Sequence, residues 1–373
     1  MCIYPLTQEN LENLKNFKYK STNESILYNK FMSPCLNKLI NYIPKNIAPN
    51  LITIISLCFN ILAAIISYLD GGFDFSHKLK RSTCFIIGSF QLFYQLADNI
   101  DGKQARRTGN STPFGMLMDH GCDVFTNIFT AFNLSKLFLV GNEDFFSFSV
   151  FFGLILGFYI MTLEEYKVGE MHFPTINGTD EGNFIVFLMG IFIGIIGQDW
   201  LEFCINEKFH FTIGKLLGFI LFLFSLSCIF NLFLHTYQKK GFKEMMKIFL
   251  DMLPIYGVFI VPCIFIGLQL DFYQDNKGLI LTNISLLFAR ITIDVQIKIL
   301  TSQPLSCNIM YNFINISFIF CLFLDAYIVM LYALILLILV QSIELIIFIV
   351  RRVKQITDFL KIRIFCINPV STV

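Results

Sequence analysis

Apolar positions run in windows of bilayer length along almost the whole chain. Windows of about 20 residues mark spans near 50–69, 82–99, 113–137, 146–164, 183–199, 212–236, 246–270, 279–299, 309–325 and 329–350. The pattern predicts an all-α polytopic membrane protein with about ten transmembrane helices. Residues 25–47 differ. Ile26, Leu36, Leu39, Ile40 and Ile43 recur at helical spacing among Lys30, Lys38 and Lys45. This predicts an amphipathic helix lying in the membrane interface, broken near Pro34 and ended by Pro44. The first 20 residues are polar and lack an apolar core with a cleavage site, so no signal peptide is expected.

Composition strengthens this picture. The chain of 373 residues is 55% hydrophobic and 15% charged, with a mean hydropathy of +0.65. Soluble domains are usually about 45–50% apolar and about 25% charged. The 11 cysteines form no C-x-x-C pair, so neither a disulfide framework nor a cysteine-spaced zinc site has support. Most of the 28 Lys and Arg residues fall on one side of a ten-helix topology, among them Lys103, Arg106, Arg107, Lys239, Lys240 and the tail from Arg351. Positive loops stay cytosolic. The termini and the loop between the second and third spans are therefore expected to face the cytosol.

That loop carries the candidate chemistry. Residues 98–123 read DNIDGKQARRTGNSTPFGMLMDHGCD. Asp98 and Asp101 are three apart at the end of one span; Asp119 and Asp123 are four apart within the next. On helices each spacing puts both carboxylates on one face. Thr112 is expected to cap the second helix and Pro113 to occupy its first turn. Two helices joined by so short a loop must be neighbours, so all four carboxylates can share one cavity. Unpaired charges near a bilayer cost several kcal/mol each. Carboxylate oxygens suit Mg²⁺ or Mn²⁺, and two such ions held by four aspartates would form a phosphoryl-transfer centre for a diphosphate substrate. Gly102 allows close backbone approach to a phosphate. Gly115 keeps the cavity open one turn before Asp119. Arg106 offers a fork of donors to phosphate, whereas Arg107 reads as a positive-inside anchor.

The spacing D-x2-D-G-x2-A-R-x8-G-x3-D-x3-D, met here by Asp98, Asp101, Gly102, Ala105, Arg106, Gly115, Asp119 and Asp123, resembles the signature of CDP-alcohol phosphotransferases. DGKQARRTG, DHGCD, the stretch Ala48-Pro49-Asn50 and the segment Glu164–Gly182 are similar to the choline and ethanolamine phosphotransferase branch. The likeness is specific mainly over residues 48–182. It implies transfer of phosphoethanolamine or phosphocholine from CDP-ethanolamine or CDP-choline to diacylglycerol, with CMP leaving. It implies that Asp98, Asp101, Asp119 and Asp123 hold two metal ions and that Asn50 and Arg106 contact the CDP moiety. His120 is implied as general base, with Asp123 as the alternative. It also implies an endoplasmic reticulum or Golgi membrane, and often a homodimer. No nucleic-acid partner is expected.

Relatives usually carry Glu where this chain has Met116, one turn before His120. Glu164 and Glu165 are candidate replacements for that carboxylate. Tyr94, one turn before Asp98, is a candidate to line the pocket, with facing lipid or packing between helices as the favoured expectation. The C-terminal half has no Trp for a quaternary-ammonium cage, which favours ethanolamine, or both headgroups, over choline alone. Two other readings remain: a family member using an inositol or glycerophosphate acceptor, and an ion-coupled transporter. A transporter would spread its ionisable residues over several broken helices. The expected organisation is a cytosolic segment at 1–48, a catalytic domain at 49–240, further helices at 241–350 for the lipid acceptor or a dimer contact, and a basic tail at 351–373.

Overall fold

Helix starts follow the capping chemistry. The Thr112 hydroxyl accepts from the Gly115 amide at 3.0 Å, and Pro113 opens the helix behind it. Pro49 likewise opens the helix that follows extended Ala48. The computed structural model describes residues 5–142, 148–258, 263, 270–305 and 326–367. In chain order its helices are α1 (Gln8–Asn16), α2 (Ser33–Leu39), α3 (Pro49–Leu69), α4 (Arg81–Arg107), α5 (Pro113–Leu137) and α6 (Ser149–Val168). There follow α7 (Asn183–Ile196), α8 (Ile213–Lys240), α9 (Phe242–Asp251), α10 (Leu270–Thr301) and α11 (Tyr327–Leu360). Among the described residues the strands form two short ladders. Parallel β1 (Ser21–Asn23) and β2 (Met171–Phe173) pair Thr22 with His172, and β3 (Cys204–Asn206) pairs antiparallel with β4 (Phe211–Thr212).

The class is all-α and polytopic, as the hydropathy predicts. Six helices among the described residues are long and apolar enough to cross a membrane: α3, α6, the stretch Gly178–Ile196 that contains α7, α8, α10 and α11. The expected count was about ten. The second and third expected spans coincide with α4 and α5, 27 and 25 residues long. They are too polar to count because they carry the carboxylates and a ladder of buried amides. Gln91 donates to Asn183 at 2.9 Å and Gln95 to the Asp180 carbonyl at 2.6 Å. The expected span at 309–325 lies outside the described residues, as does much of the one at 246–270.

α4 is pinned between α3 and α7. Gly88 and Gly190 meet at the second contact: a Cβ on Gly190 would lie 2.6 Å from Gly88 Cα. Small residues at such a crossing let two helix backbones touch. α10 packs on α5, α6 and α11. Tyr327 on α11 meets Asn276 on α10, and Glu344 meets Arg290, so α10 and α11 run in the same direction.

α2 is amphipathic, with Met32, Leu36 and Ile40 buried against Ile52 and Ile100. Ile26 and Leu39, expected on that face, are exposed instead, as are Phe31 and Tyr42. Arg107 reads in the structure as a latch rather than a simple surface charge. Its guanidinium donates to the carbonyls of Ile40 and Ile43 and to Gln104. Lys103 reaches Ser33 and Asn37 at 3.1 and 2.9 Å. Together they dock α2 on the C-terminal turns of α4.

Candidate active site

One end of the bundle collects every residue of the D-x2-D motif. α4 delivers Asp98 and Asp101 from its C-terminal half, α5 delivers Asp119 and Asp123 from its N-terminal half, and α3 begins beside them at Asn50. Carboxylate oxygens of Asp98, Asp119 and Asp123 lie within 4.8 Å of one another. Asp101, the fourth carboxylate, is held from α3. It is 5% exposed, and its Oδ2 accepts from the Thr53 hydroxyl of α3. Tyr94 is buried, and its hydroxyl donates to Asp123 Oδ1 at 2.8 Å. It therefore serves the acidic cluster rather than facing lipid.

The trio has more negative charge than it has donors. Asp119 Oδ1 is buried without a hydrogen-bond partner. Three converging carboxylates, one of them with an orphaned oxygen, fit a hard divalent cation through oxygen ligands. The donor set therefore passes the test that a metal centre sets.

The glycines and the flanking polar residues are close by. A Cβ on Gly115 would sit 3.3 Å from Thr112 Oγ1 and 3.5 Å from Asn50 Oδ1. A Cβ on Gly102 would sit 3.5 Å from an Arg106 guanidinium nitrogen. Arg106 is exposed, so its fork of donors is available at the rim. Asn50 Nδ2 donates to the Ile364 carbonyl at 2.8 Å, which brings the C-terminal tail to the same rim.

His120, next to Asp119 on α5, faces Glu165 on α6. Its Nδ1 lies 3.8 Å from Glu165 Oε2, with both side chains buried. That Glu165 oxygen has no hydrogen-bond partner. Gln296 on α10 donates to the His120 carbonyl at 3.1 Å, and the Tyr19 ring meets the imidazole edge-on at 5.7 Å. Of the two glutamates considered as substitutes at Met116, Glu165 faces the imidazole. Glu164 turns to His235 instead, at 2.6 Å. A cavity of about 480 Å³ opens at Glu165, lined also by Lys18, Lys20, Tyr166 and Lys298. Tyr19 and Gln296 escaped the sequence reading because each reaches the site from a distant segment with no motif around it; Thr53 sits just after the Ala48-Pro49-Asn50 stretch, but nothing local shows that its hydroxyl meets Asp101.

Residues 46–204 match the family model for CDP-alcohol phosphatidyltransferase. This matched stretch contains the whole acidic hairpin. Among curated proteins, it is 35% identical over 203 residues to the uncharacterized CDP-alcohol phosphatidyltransferase class-I family protein 3 of Dictyostelium discoideum, covering 53% of this chain and 49% of that one. It is 30% identical over 187 residues to choline/ethanolaminephosphotransferase 1 of Arabidopsis thaliana, covering 50% and 47%. It is 32% identical over 220 residues to cholinephosphotransferase 1 of Gallus gallus, covering 57% and 64%. The chain spans about half the length of most of the curated relatives it matches.

Proposed function

We propose that this protein transfers phosphoethanolamine or phosphocholine from the corresponding CDP-alcohol to diacylglycerol, releasing CMP. The observation that carries this reading is the convergence of Asp98, Asp119 and Asp123 around an orphaned carboxylate oxygen, within the stretch that matches the CDP-alcohol phosphatidyltransferase family model. Relatives named for choline and ethanolamine phosphotransfer support the choice of headgroup.

Asp98, Asp119 and Asp123, with Asp101 beside them, would hold two Mg²⁺ or Mn²⁺ ions. Such ions, when bound, offset the negative charge of a diphosphate and of the transition state. The protein's own groups do the rest. Thr53 and Tyr94 fix the rotamers of Asp101 and Asp123 through their hydroxyls. Arg106 and Asn50 flank the rim where the nucleotide would lie. His120 accepts the proton of the diacylglycerol hydroxyl as its oxygen forms a bond to the β-phosphorus. The bond from that phosphorus to the bridging oxygen breaks, and CMP departs with the electron pair. Glu165 acts on His120 Nδ1 as a positioning residue, which leaves Nε2 to take the proton. It supplies across α5 and α6 the carboxylate that Met116 cannot supply along α5. The site would face the cytosol in an endoplasmic reticulum or Golgi membrane, with residues 49–240 as the catalytic unit.

Membranes containing the protein, labelled CDP-choline or CDP-ethanolamine, diacylglycerol and Mg²⁺ or Mn²⁺ test this directly. Metal-dependent phospholipid from either nucleotide, lost in Asp119→Ala and in His120→Ala, is the expected result. Product that survives His120→Ala would move the base to Asp123. No product from either nucleotide, with the protein folded and metal present, would overturn the reading.

A further inference from the structure

A second cluster of metal-ligating side chains lies on the other side of Glu165 and takes no part in the proposed transfer. Glu164 on α6, His172 on β2 and His235 on α8 present ligand atoms within 4.8 Å of one another. His235 Nδ1 is 2.6 Å from Glu164 Oε1, and the His172 and His235 rings meet edge-on at 5.5 Å. Glu24, beside β1, reaches His172 Nε2 at 3.8 Å. The Glu164 side chain is 12% exposed, and the two imidazoles are 33% and 30% exposed. Solvent reaches the cluster, yet its carboxylate is shielded.

The geometry points to a second, chemically distinct metal site here, for a borderline transition-metal ion of the zinc class. Two imidazoles and one carboxylate are a recurrent zinc set with the fourth position left open. Imidazole selects zinc-class ions over Mg²⁺, whereas carboxylates suit Mg²⁺ and Mn²⁺ and discriminate little. In a tetrahedral site with metal–ligand bonds of about 2.1 Å, ligand atoms stand roughly 3.4 Å apart. Glu164 and His235 would part from their 2.6 Å hydrogen bond, and the other separations, at most 4.8 Å, would close to this spacing by rotation of the partly exposed imidazoles. Glu24 matches the outer carboxylate that commonly orients a metal-bound histidine.

The three ligands come from three separate segments, so an ion would tie them together. β2 carries His172 and pairs with β1, which follows the segment bearing Tyr19. Glu164 is the neighbour of Glu165. The ion would clamp the strap formed by β1 and β2 against α6 and α8, immediately beside the His120–Glu165 pair. It would be a structural or regulatory ion rather than a participant in transfer. Cysteine spacing gives no hint of it, because no cysteine is among the ligands.

The test uses the full chain in lipid nanodiscs, stripped with chelator and re-equilibrated in excess Mg²⁺. Co²⁺ serves as the spectroscopic probe and Zn²⁺ as the competitor. One equivalent of Co²⁺ is expected to give visible ligand-field bands that Zn²⁺ abolishes and Mg²⁺ does not. The bands should persist in Asp119→Ala and vanish in His172→Gln/His235→Gln. Glu24→Gln should weaken affinity about 10–100-fold. X-ray absorption at the zinc edge of the wild-type protein needs no variant, and it should show two imidazole ligands. Bands that survive the double histidine variant, an edge spectrum with oxygen ligands only, or no Zn²⁺ retained against Mg²⁺ would each overturn the site.

Discussion

Arg290 on α10 and Glu344 on α11 face each other deep in the bundle, as the carboxylates of α4 and α5 do near its end. The two clusters are built on opposite terms. Arg290 Nε reaches both Glu344 oxygens at 3.1 Å, with the side chains 8% and 10% exposed. Asp294 pairs with Arg290 and with Lys298 one turn on, at 3.4 and 2.8 Å, and the guanidinium stacks 3.4 Å over the Phe348 ring centroid. Two positive and two negative groups close the account internally. Asp98, Asp119 and Asp123 bring three negative groups together, and among the described residues no salt bridge joins them to a Lys or Arg. A buried network that balances itself holds helices in place. One that does not is set up to receive a cation and, with it, a charged substrate.

The largest break in this comparison is Asp119→Ala, which should lower transfer about 10³-fold or more while leaving the fold intact. Asp119→Asn should go further and raise the melting temperature of the chelator-stripped protein, because it removes one of three repelling charges. Added Mg²⁺ should then stabilise the wild type and not the variant. An equal response of both proteins to Mg²⁺ would show that the trio is not the metal site.

Glu344→Gln probes the other side of the comparison. It removes the Glu344 charge that Arg290 Nε reaches, leaving Asp294 as the remaining partner, and should cost about 3 kcal/mol, read as reduced thermal stability in nanodiscs. Replacing both partners, Arg290→Met with Glu344→Leu, should restore most of it. Failure of that rescue would mean the pair does more than hold α10 to α11.

Glu165→Gln should reduce kcat about 10–100-fold with KM for the nucleotide little changed. Glu165→Asp should recover part of the loss, whereas a purely structural role would move stability and KM together. Thr53→Val removes one hydroxyl from Asp101 and should cost about 1 kcal/mol, measured as a several-fold rise in the Mg²⁺ concentration giving half-maximal activity.

What could be read from the sequence was whatever repeats within a few residues. The i, i+3 and i, i+4 spacings of the aspartates, the Thr112–Pro113 start of α5 and the long apolar runs are local signals, and those that fall on the described residues have helices as their counterparts. Contacts across helices leave no such trace. Glu165 lies on α6, far along the chain from His120; the sequence offers it and Glu164 equally, and only the fold shows that Glu165 is the one that faces the imidazole. Arg290 and Glu344 are 54 positions apart, with only a hydrophobic outline between them. The spacing puts Tyr94 one turn before Asp98, within reach of the pocket, but does not say whether its hydroxyl turns toward Asp123 or its ring toward lipid. Arg107 looked like any surface cation until Ile40 and Ile43 were folded back against it. The span count suffered for a related reason: the helices that carry the chemistry are the polar ones.

The parallel pairing of β1 with β2 has a consequence for the order in which the protein is made. Asn23 hydrogen-bonds Asp180, 157 positions later in the chain, and Asn23 itself pairs with Phe173. A chain synthesised from its N-terminus must expose β1 early and wait until β2 has left the ribosome before the ladder can close. By then α3 to α6 have already been delivered to the membrane. The acidic hairpin is therefore made before the strap can close, and the strap closes while α7 to α11 are still to come.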